Sequence, residues 1–134
     1  MQLWRQRDEL ERRDIKVLLV SFEPLERVRH YVVEDEFEWP ILSDETHELY
    51  QAYGLGRSSV IRTWLSPRTI AYYCKAAFGG KKIRRPTSDT GQLGGDFLID
   101  PVGRIVFGFR SEEPADRPGV RQILEAQTVW LSAK

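Results

Sequence analysis

The chain has 134 residues, which fits one domain of ordinary size and leaves no room for two. Apolar residues make up 41% and charged residues 30% of the sequence, which is typical of a globular protein and excludes a disordered chain. Twenty basic and twenty acidic residues give a net charge of zero, which argues against nucleic acid or an anionic membrane as a partner of the whole chain.

The single cysteine, Cys74, excludes an internal disulfide, a two-cysteine redox motif and a zinc site built from cysteines. It also suits a reducing compartment, and no run approaches 18 apolar residues. The charged N-terminal stretch is unlike a signal peptide. We therefore expect a cytoplasmic protein without a metal or cofactor.

The first part of the chain alternates helix and strand signals. Strong helix formers predict one exposed helix over Leu3–Asp14, and the apolar run 16–22 predicts a buried parallel strand. Apolar residues at helical spacing after Pro24 predict a helix that ends near Asp35.

A second strand and helix follow. Residues 41–43 form a brief strand candidate, and Asp44 is placed to accept backbone N–H groups at a helix start. Gly54 is placed to end that helix. The resulting order α-β-α-β-α predicts a parallel α/β sheet.

The C-terminal part carries the clearest local signal. Strands at Asp96–Asp100 and Arg104–Phe109 flank Asp100-Pro-Val-Gly103, whose residue types favour a type I turn, so an antiparallel hairpin is predicted. Asp116 or a neighbour is expected to cap a last helix, whose predicted apolar face carries Val120, Ile123, Leu124 and Leu131. Between these two parts, residues 57–95 break the alternation and are predicted to be a helical and loop insertion into a single domain 1–134.

A parallel βαβ half followed by a hairpin and a closing helix is the layout of the thioredoxin fold. The segments 17–57 and 92–118, and within them the strings WPILSD…ELYQAYGLG and GGDFLIDPVGRIVF, resemble the peroxiredoxin-like branch of the AhpC/TSA family in the thioredoxin-like superfamily. The resemblance implies a thioredoxin-like α/β fold and a family role in thiol-dependent redox or antioxidant chemistry.

The sequence departs from that family where its chemistry resides. Members carry a redox cysteine, as CxxC or CxxS, between a first central strand and the first helix, and Met1 already lies inside the matching helix. Peroxiredoxins proper also use an arginine just before the hairpin strand, where this chain has Gly94. We therefore expect no peroxidase turnover from this chain, and whether it is an enzyme stays open.

The expected loss of a central strand has a mechanical consequence. Its two neighbours would lie roughly 9–10 Å apart, beyond hydrogen bonding, since adjacent strands are about 4.8 Å apart. Three resolutions remain open: the half-sheets close up, a second copy fills the slot, or the natural protein begins upstream of Met1. For the chain as given we expect a homodimer, alongside a possible redox protein partner.

Cys74 shares a predicted helix face with Ile70, Ala77 and Phe78, so a buried structural cysteine is favoured over a reactive thiol. The resemblance places Trp39, Pro40, Gly94 and Gly95 next to the position of the family's active-site turn, without a catalytic role.

The segment 57–85 is strongly basic, with eight basic residues and no acidic one. Arginine and lysine stems lying over apolar packing would give this pattern, and so would a site for an anionic partner. The candidate anion-binding residues are Arg57, Arg62, Arg68, Lys75, Lys81, Lys82, Arg84 and Arg85.

Overall fold

Helices and strands alternate in the first part of the chain, and a strand hairpin and a helix form its end. The computed structural model describes residues 2–36, 38–57, 67, 71, 91–113 and 116–134. They divide into two compact units, Met1–Tyr53 and Gly54–Lys134.

The first unit contains a parallel βαβ arrangement, as predicted. Its elements are α1 (Gln2–Arg5), α2 (Arg7–Arg12), β1 (Leu19–Ser21), α3 (Leu25–Glu34), β2 (Ile41–Ser43) and α4 (Glu48–Ala52). Strands β1 and β2 run parallel, with Leu19 opposite Ile41 and Val20 opposite Leu42. The predicted helix end near Asp35 is confirmed, since α3 ends at Glu34.

The prediction of one helix over Leu3–Asp14 is wrong. The chain forms two short helices that are interrupted at Gln6, whose φ of −113° and ψ of 21° leave the helical region. The two helices have separate contacts. Trp4 meets Trp39 edge to face, with ring centroids 5.0 Å apart, whereas Leu10 of α2 is 1% exposed.

The expectation that the first strand is buried is also wrong. Val20 on β1 is 37% exposed, its partner Leu42 on β2 is 45% exposed, and Leu18 just before β1 is 53% exposed. Among the described residues this sheet has two strands. Side chains alternate between the two faces of a strand, so Leu18, Val20 and Leu42 share a face that is left exposed.

Helix α4 is fixed at both ends by residues that the sequence singles out. Asp44 is buried, and its Oδ2 accepts the backbone N–H of Tyr50 at 3.1 Å, although the residue that caps the helix is His47. The Tyr50 hydroxyl donates to the carbonyl of Val20 at 3.2 Å, which ties α4 to β1. Gly54 follows the helix with a φ of 69°, which confirms its predicted role as the stop.

The second unit contains the predicted antiparallel hairpin. Strand β3 (Gly95–Ile99) pairs with β4 (Ile105–Arg110), and both strands begin within one residue of the predicted positions. The register places Gly95 opposite Arg110 and Asp96 opposite Phe109. Helix α5 (Val120–Ser132) follows and packs against β4.

The hairpin turn is organised by one carboxylate. Asp100 is 6% exposed, and its Oδ1 accepts the N–H groups of Val102 at 3.1 Å and Arg104 at 2.8 Å. Its Oδ2 accepts from the Arg104 Nε at 3.0 Å, and its backbone carbonyl accepts from Gly103 N–H at 2.9 Å. Gly103 has a φ of 89°, a conformation that glycine adopts without strain. The predicted turn is confirmed.

The cap of helix α5 lies three residues after Asp116, the expected cap. Gly119 occupies the cap position, and its N–H donates to the side-chain oxygen of Gln122 at 3.1 Å. Val120 is buried, whereas Leu131, expected on the apolar face, is 53% exposed. No described helix is long and apolar enough to cross a membrane.

We expect Asp100→Asn to lower the melting temperature at pH 7 by an amount of the order of 5 °C, because it removes the charge that the turn is built around. The Arg104 N–H bond, followed by the Arg104 side chain, holds the pKa of Asp100 below its usual range. Such a carboxylate stabilises the fold above the unfolded pKa of about 3.9, and this contribution is lost as the pH falls through the folded pKa.

The difference in melting temperature between the natural chain and Asp100→Asn should therefore shrink below about pH 4, as followed by circular dichroism from pH 7 to pH 3. Asp8→Asn is the matched control, since the Asp8 side chain is 83% exposed. Equal melting temperatures of the natural chain and Asp100→Asn at pH 7 would contradict the assignment.

Candidate functional site

An arginine side chain fills the space beside Gly94, just before β3. A Cβ atom on Gly94 would lie 2.7 Å from Nη2 and 2.9 Å from Nη1 of Arg117. The Arg117 guanidinium thus occupies the volume that a side chain at position 94 would need. The absence of a side chain at Gly94 is what allows this approach.

Gly95 has a different reason to be glycine. A Cβ there would lie 2.6 Å from the carbonyl oxygen of Phe109 and 2.7 Å from Cδ2 of Leu55. The Phe109 carbonyl belongs to the backbone, so it cannot move aside as the end of a long side chain can. The close packing of β3 against β4 and Leu55 therefore depends on this glycine.

The Arg117 guanidinium is held from one side by Ser111 and Asp116. Its Nη1 donates to the Ser111 Oγ at 2.6 Å and to the Asp116 carbonyl at 3.2 Å. The Ser111 Oγ donates in turn to the Asp116 carbonyl at 2.7 Å. Ser111 is 5% exposed and extends the hairpin ladder, with its N–H donating to the Gly94 carbonyl at 2.9 Å. The hairpin itself therefore orients the arginine.

Asp96 adds a carboxylate to the same side of the hairpin. Residues two apart on a strand share a face, so Asp96 lies on the face of Gly94. Its Oδ2 is buried, and no hydrogen-bond donor in the described part of the chain reaches it. Burial raises the pKa of Asp96 above its usual range, and the positive charge of Arg117 offsets only part of that effect.

The two opposite charges do not neutralise each other directly. Among the described residues, Asp96 and Arg117 form no ion pair, and Arg117 makes its hydrogen bonds through Nη1. Its Nε and Nη2 point along the other edge of the guanidinium, the edge that binds planar anions with two parallel hydrogen bonds. The result is a partly desolvated carboxylate beside an oriented guanidinium whose Nε and Nη2 can donate further hydrogen bonds.

Trp39 and Pro40 lie in the first unit and have structural contacts there. Trp39 packs on Trp4, and the Arg7 guanidinium lies 4.9 Å from the centre of the Trp4 ring. Pro40 is exposed, and its carbonyl accepts the N–H of Leu19 at 3.0 Å at the start of the parallel ladder. These contacts anchor α1 and the ladder within that unit.

Most of the predicted insertion lies outside the described residues. Cys74 falls there, as do the basic residues Arg62, Arg68, Lys75, Lys81, Lys82, Arg84 and Arg85. Arg57 is described and exposed, and it forms an antiparallel bridge with Gln92. The anion-binding prediction for this segment stays a prediction.

Several acidic side chains surround a shallow depression in the first unit, formed by the loop between β2 and α4. Two of them are already engaged in local structure: Asp44 holds the Tyr50 N–H, and the Glu45 Oε1 accepts the N–H of Leu25 at 3.0 Å. In the described ranges no group of three or more histidine, cysteine, aspartate or glutamate side chains is arranged to hold a metal ion. We therefore assign no binding site to this depression.

Sequence reasoning identified Gly94 and Gly95 but missed Asp96 and Arg117. A charged residue in the first half of an apolar strand was the available signal for Asp96. No local signal marked Arg117, because it lies 23 residues after Gly94 and reaches it only through the fold.

Comparison with known families gives one finding. A family model described as "AhpC/TSA antioxidant enzyme" matches residues 2–113. The matched range includes Gly94, Asp96 and Ser111 and ends shortly before Arg117. Comparisons with curated proteins and with solved structures give no significant match.

The same substitution at the two glycines is expected to change the free energy of unfolding by different amounts. Gly95→Ala places a methyl group against the Phe109 carbonyl and should lower the free energy of unfolding by about 2–3 kcal/mol. Gly94→Ala pushes against the end of the Arg117 side chain, which can shift at the expense of its hydrogen bond to Ser111, and should lower it by only about 1 kcal/mol. Urea unfolding of both variants measures the difference. A Gly95→Ala variant as stable as Gly94→Ala would show that the two strands do not pack as described.

Proposed function

The chain belongs to the AhpC/TSA antioxidant enzyme family, and from that membership we propose that its role is thiol-dependent redox or antioxidant chemistry. The mixed α/β structure agrees with the thioredoxin-like fold of this family. The finer proposal is that the 134-residue polypeptide does not reduce peroxide at an appreciable rate by itself.

The cysteine content carries this finer proposal. In a thiol peroxidase a cysteine thiolate attacks one peroxide oxygen, the O–O bond breaks, and the other oxygen leaves as hydroxide, which takes up a proton to become water. The sulfur becomes a sulfenic acid, which condenses with a second thiol to a disulfide and releases water. The chain contains a single cysteine, Cys74, so the second thiol must come from another molecule. Its predicted apolar helix face would also disfavour the thiolate form that the attack requires.

The position of Arg117 supports the redox role of the family's site. Family resemblance associates an arginine with position 94, and here the Arg117 guanidinium occupies the volume of the missing side chain. Ser111 fixes that guanidinium by a bond of 2.6 Å. A positive charge is thus retained beside the hairpin, where it would favour the anionic form of a thiol brought to it.

We expect the purified chain to consume hydrogen peroxide, with dithiothreitol as reductant, no faster than an equal concentration of free cysteine does. Cys74→Ser should leave this rate unchanged, because Cys74 is not expected to be the reacting thiolate. Peroxide loss measured over time gives the rate. Turnover well above that of free cysteine, abolished in Cys74→Ser, would refute the proposal and make Cys74 the reacting group.

A second candidate function is a non-enzymatic interaction module that works through self-association. Exposed Leu18, Val20 and Leu42 form an apolar face on the two-stranded sheet of the first unit. Apolar side chains gathered on one exposed face are a common feature of contact surfaces. We propose a homodimer, located in the cytoplasm, that can also engage a redox protein partner.

Light scattering coupled to size-exclusion chromatography tests the dimer. We expect twice the chain mass of 15.6 kDa for the natural chain and a shift toward the single-chain mass for the double variant Val20→Ser/Leu42→Ser. Val33→Ser is the matched control, since Val33 is 78% exposed on α3. A natural chain that elutes as a folded monomer at all concentrations would exclude self-association.

The basic segment 57–85 gives the same candidate a second route, through an anionic partner. Binding to phosphate groups weakens steeply with salt, so titration with a nucleic acid at low and moderate salt distinguishes such a site from internal packing.

A further inference from the structure

Two opposite charges lie side by side on one face of the hairpin, and each keeps its capacity to bind. Arg117 is oriented through Nη1 by Ser111 and the Asp116 carbonyl. Asp96 holds a carboxylate that no donor in the described ranges reaches. We propose that this Asp96–Arg117 site binds an α-amino-carboxylate group, with the ligand's ammonium on Asp96 and its carboxylate on Arg117.

The guanidinium presents the geometry that a carboxylate needs. With Nη1 engaged, Nε and Nη2 form the free edge, and these two N–H groups are parallel and spaced to match the two oxygens of a carboxylate. Arg117 is exposed, so a ligand reaches it from solvent. The buried Ser111 holds the guanidinium through Nη1.

Asp96 supplies the carboxylate that the ligand's ammonium group would bind. Partial removal from water raises the free energy of a charged carboxylate that has no hydrogen-bond donor. A positively charged donor that binds the carboxylate offsets this desolvation penalty. Asp96 is only half-buried, which leaves it open to such a group.

The two opposite charges disfavour both simple anions and simple cations as ligands. A simple anion attracted by Arg117 is repelled by Asp96, and a simple cation attracted by Asp96 is repelled by Arg117. A ligand that carries both charges one carbon atom apart satisfies both residues at once. The α-amino-carboxylate group has this composition and is neutral overall, which matches the neutral pair formed by the two residues.

Two kinds of molecule carry this group: a free amino acid and the γ-glutamyl end of a glutathione-type thiol. Only the glutathione-type ligand rests on the proposed redox function, because its thiol would be the second thiol that the redox chemistry requires. The binding chemistry is the same for both, so the test uses probes without a thiol.

Isothermal titration of the full chain with L-alanine and with S-methylglutathione tests the proposal, and N-acetyl-L-alanine serves as the ligand control. We expect at least one of the first two to bind, and N-acetyl-L-alanine, which lacks the ammonium, to bind at least tenfold more weakly than L-alanine or not at all. Binding of L-alanine alone assigns the site to free amino acids, and binding of S-methylglutathione alone assigns it to γ-glutamyl ligands. Because neither probe has a thiol, the result is independent of the outcome of the peroxide assay.

Two conservative variants locate the site on these residues. Arg117→Lys keeps the charge but loses the paired donors, and Asp96→Asn keeps the shape but loses the charge, so each should weaken binding at least tenfold. Arg121→Lys and Asp8→Asn, at exposed positions, are the matched controls and should bind as the natural chain does. Circular dichroism of each variant verifies that it is folded.

Three outcomes would overturn the proposal. The first is that neither L-alanine nor S-methylglutathione binds at millimolar concentration. The second is that N-acetyl-L-alanine binds as tightly as L-alanine, which would reduce the site to a general anion site at Arg117. The third is binding that persists unchanged in folded Arg117→Lys and Asp96→Asn.

Discussion

The hairpin is the constraint on which the second unit depends, and the Asp100 carboxylate closes its turn. By accepting the N–H groups of Val102 and Arg104, this buried side chain closes the turn at one position of the chain. A slip of one residue would move every side chain of β3 to the opposite face. Beyond this turn the pairing shifts by one residue between Leu98 and Ile99, and the resulting register brings Gly94 opposite Ser111 and puts Asp96 on the face where Arg117 lies.

The Asp96 carboxylate of the Asp96–Arg117 site contrasts with the Asp100 carboxylate. Asp96 lies within β3, and Asp100 directly follows that strand. Asp100 is saturated with donors, and its pKa is lowered, so its charge stabilises the turn. Asp96 has no donor among the described residues, and burial raises its pKa, so its charge opposes folding at neutral pH. A partly desolvated charge that does not stabilise the fold is typical of a site with a function, which is why the redox proposal and the ligand proposal both involve this face.

Local sequence signals predicted most of the elements. The turn residues Asp100 and Gly103 and the stop at Gly54 act within a few residues of chain, so their effect is independent of the remaining fold. The parallel βαβ order followed from apolar periodicity. The errors arose where packing decides, as in the helix that breaks at Gln6 and the strand whose Val20 is exposed, because burial depends on which faces other elements cover.

The sequence by itself determined the family, the hairpin and the two glycines of the candidate site, since each is written in short, contiguous strings. It also determined that Cys74 is the one thiol. Only the tertiary structure decided that Arg117 fills the space above Gly94 and that Asp96 lies beside it without forming an ion pair. The physical reason is distance along the chain: a guanidinium 23 residues away is brought to Gly94 by hydrogen bonds to Ser111 and Asp116, and no local pattern encodes that approach.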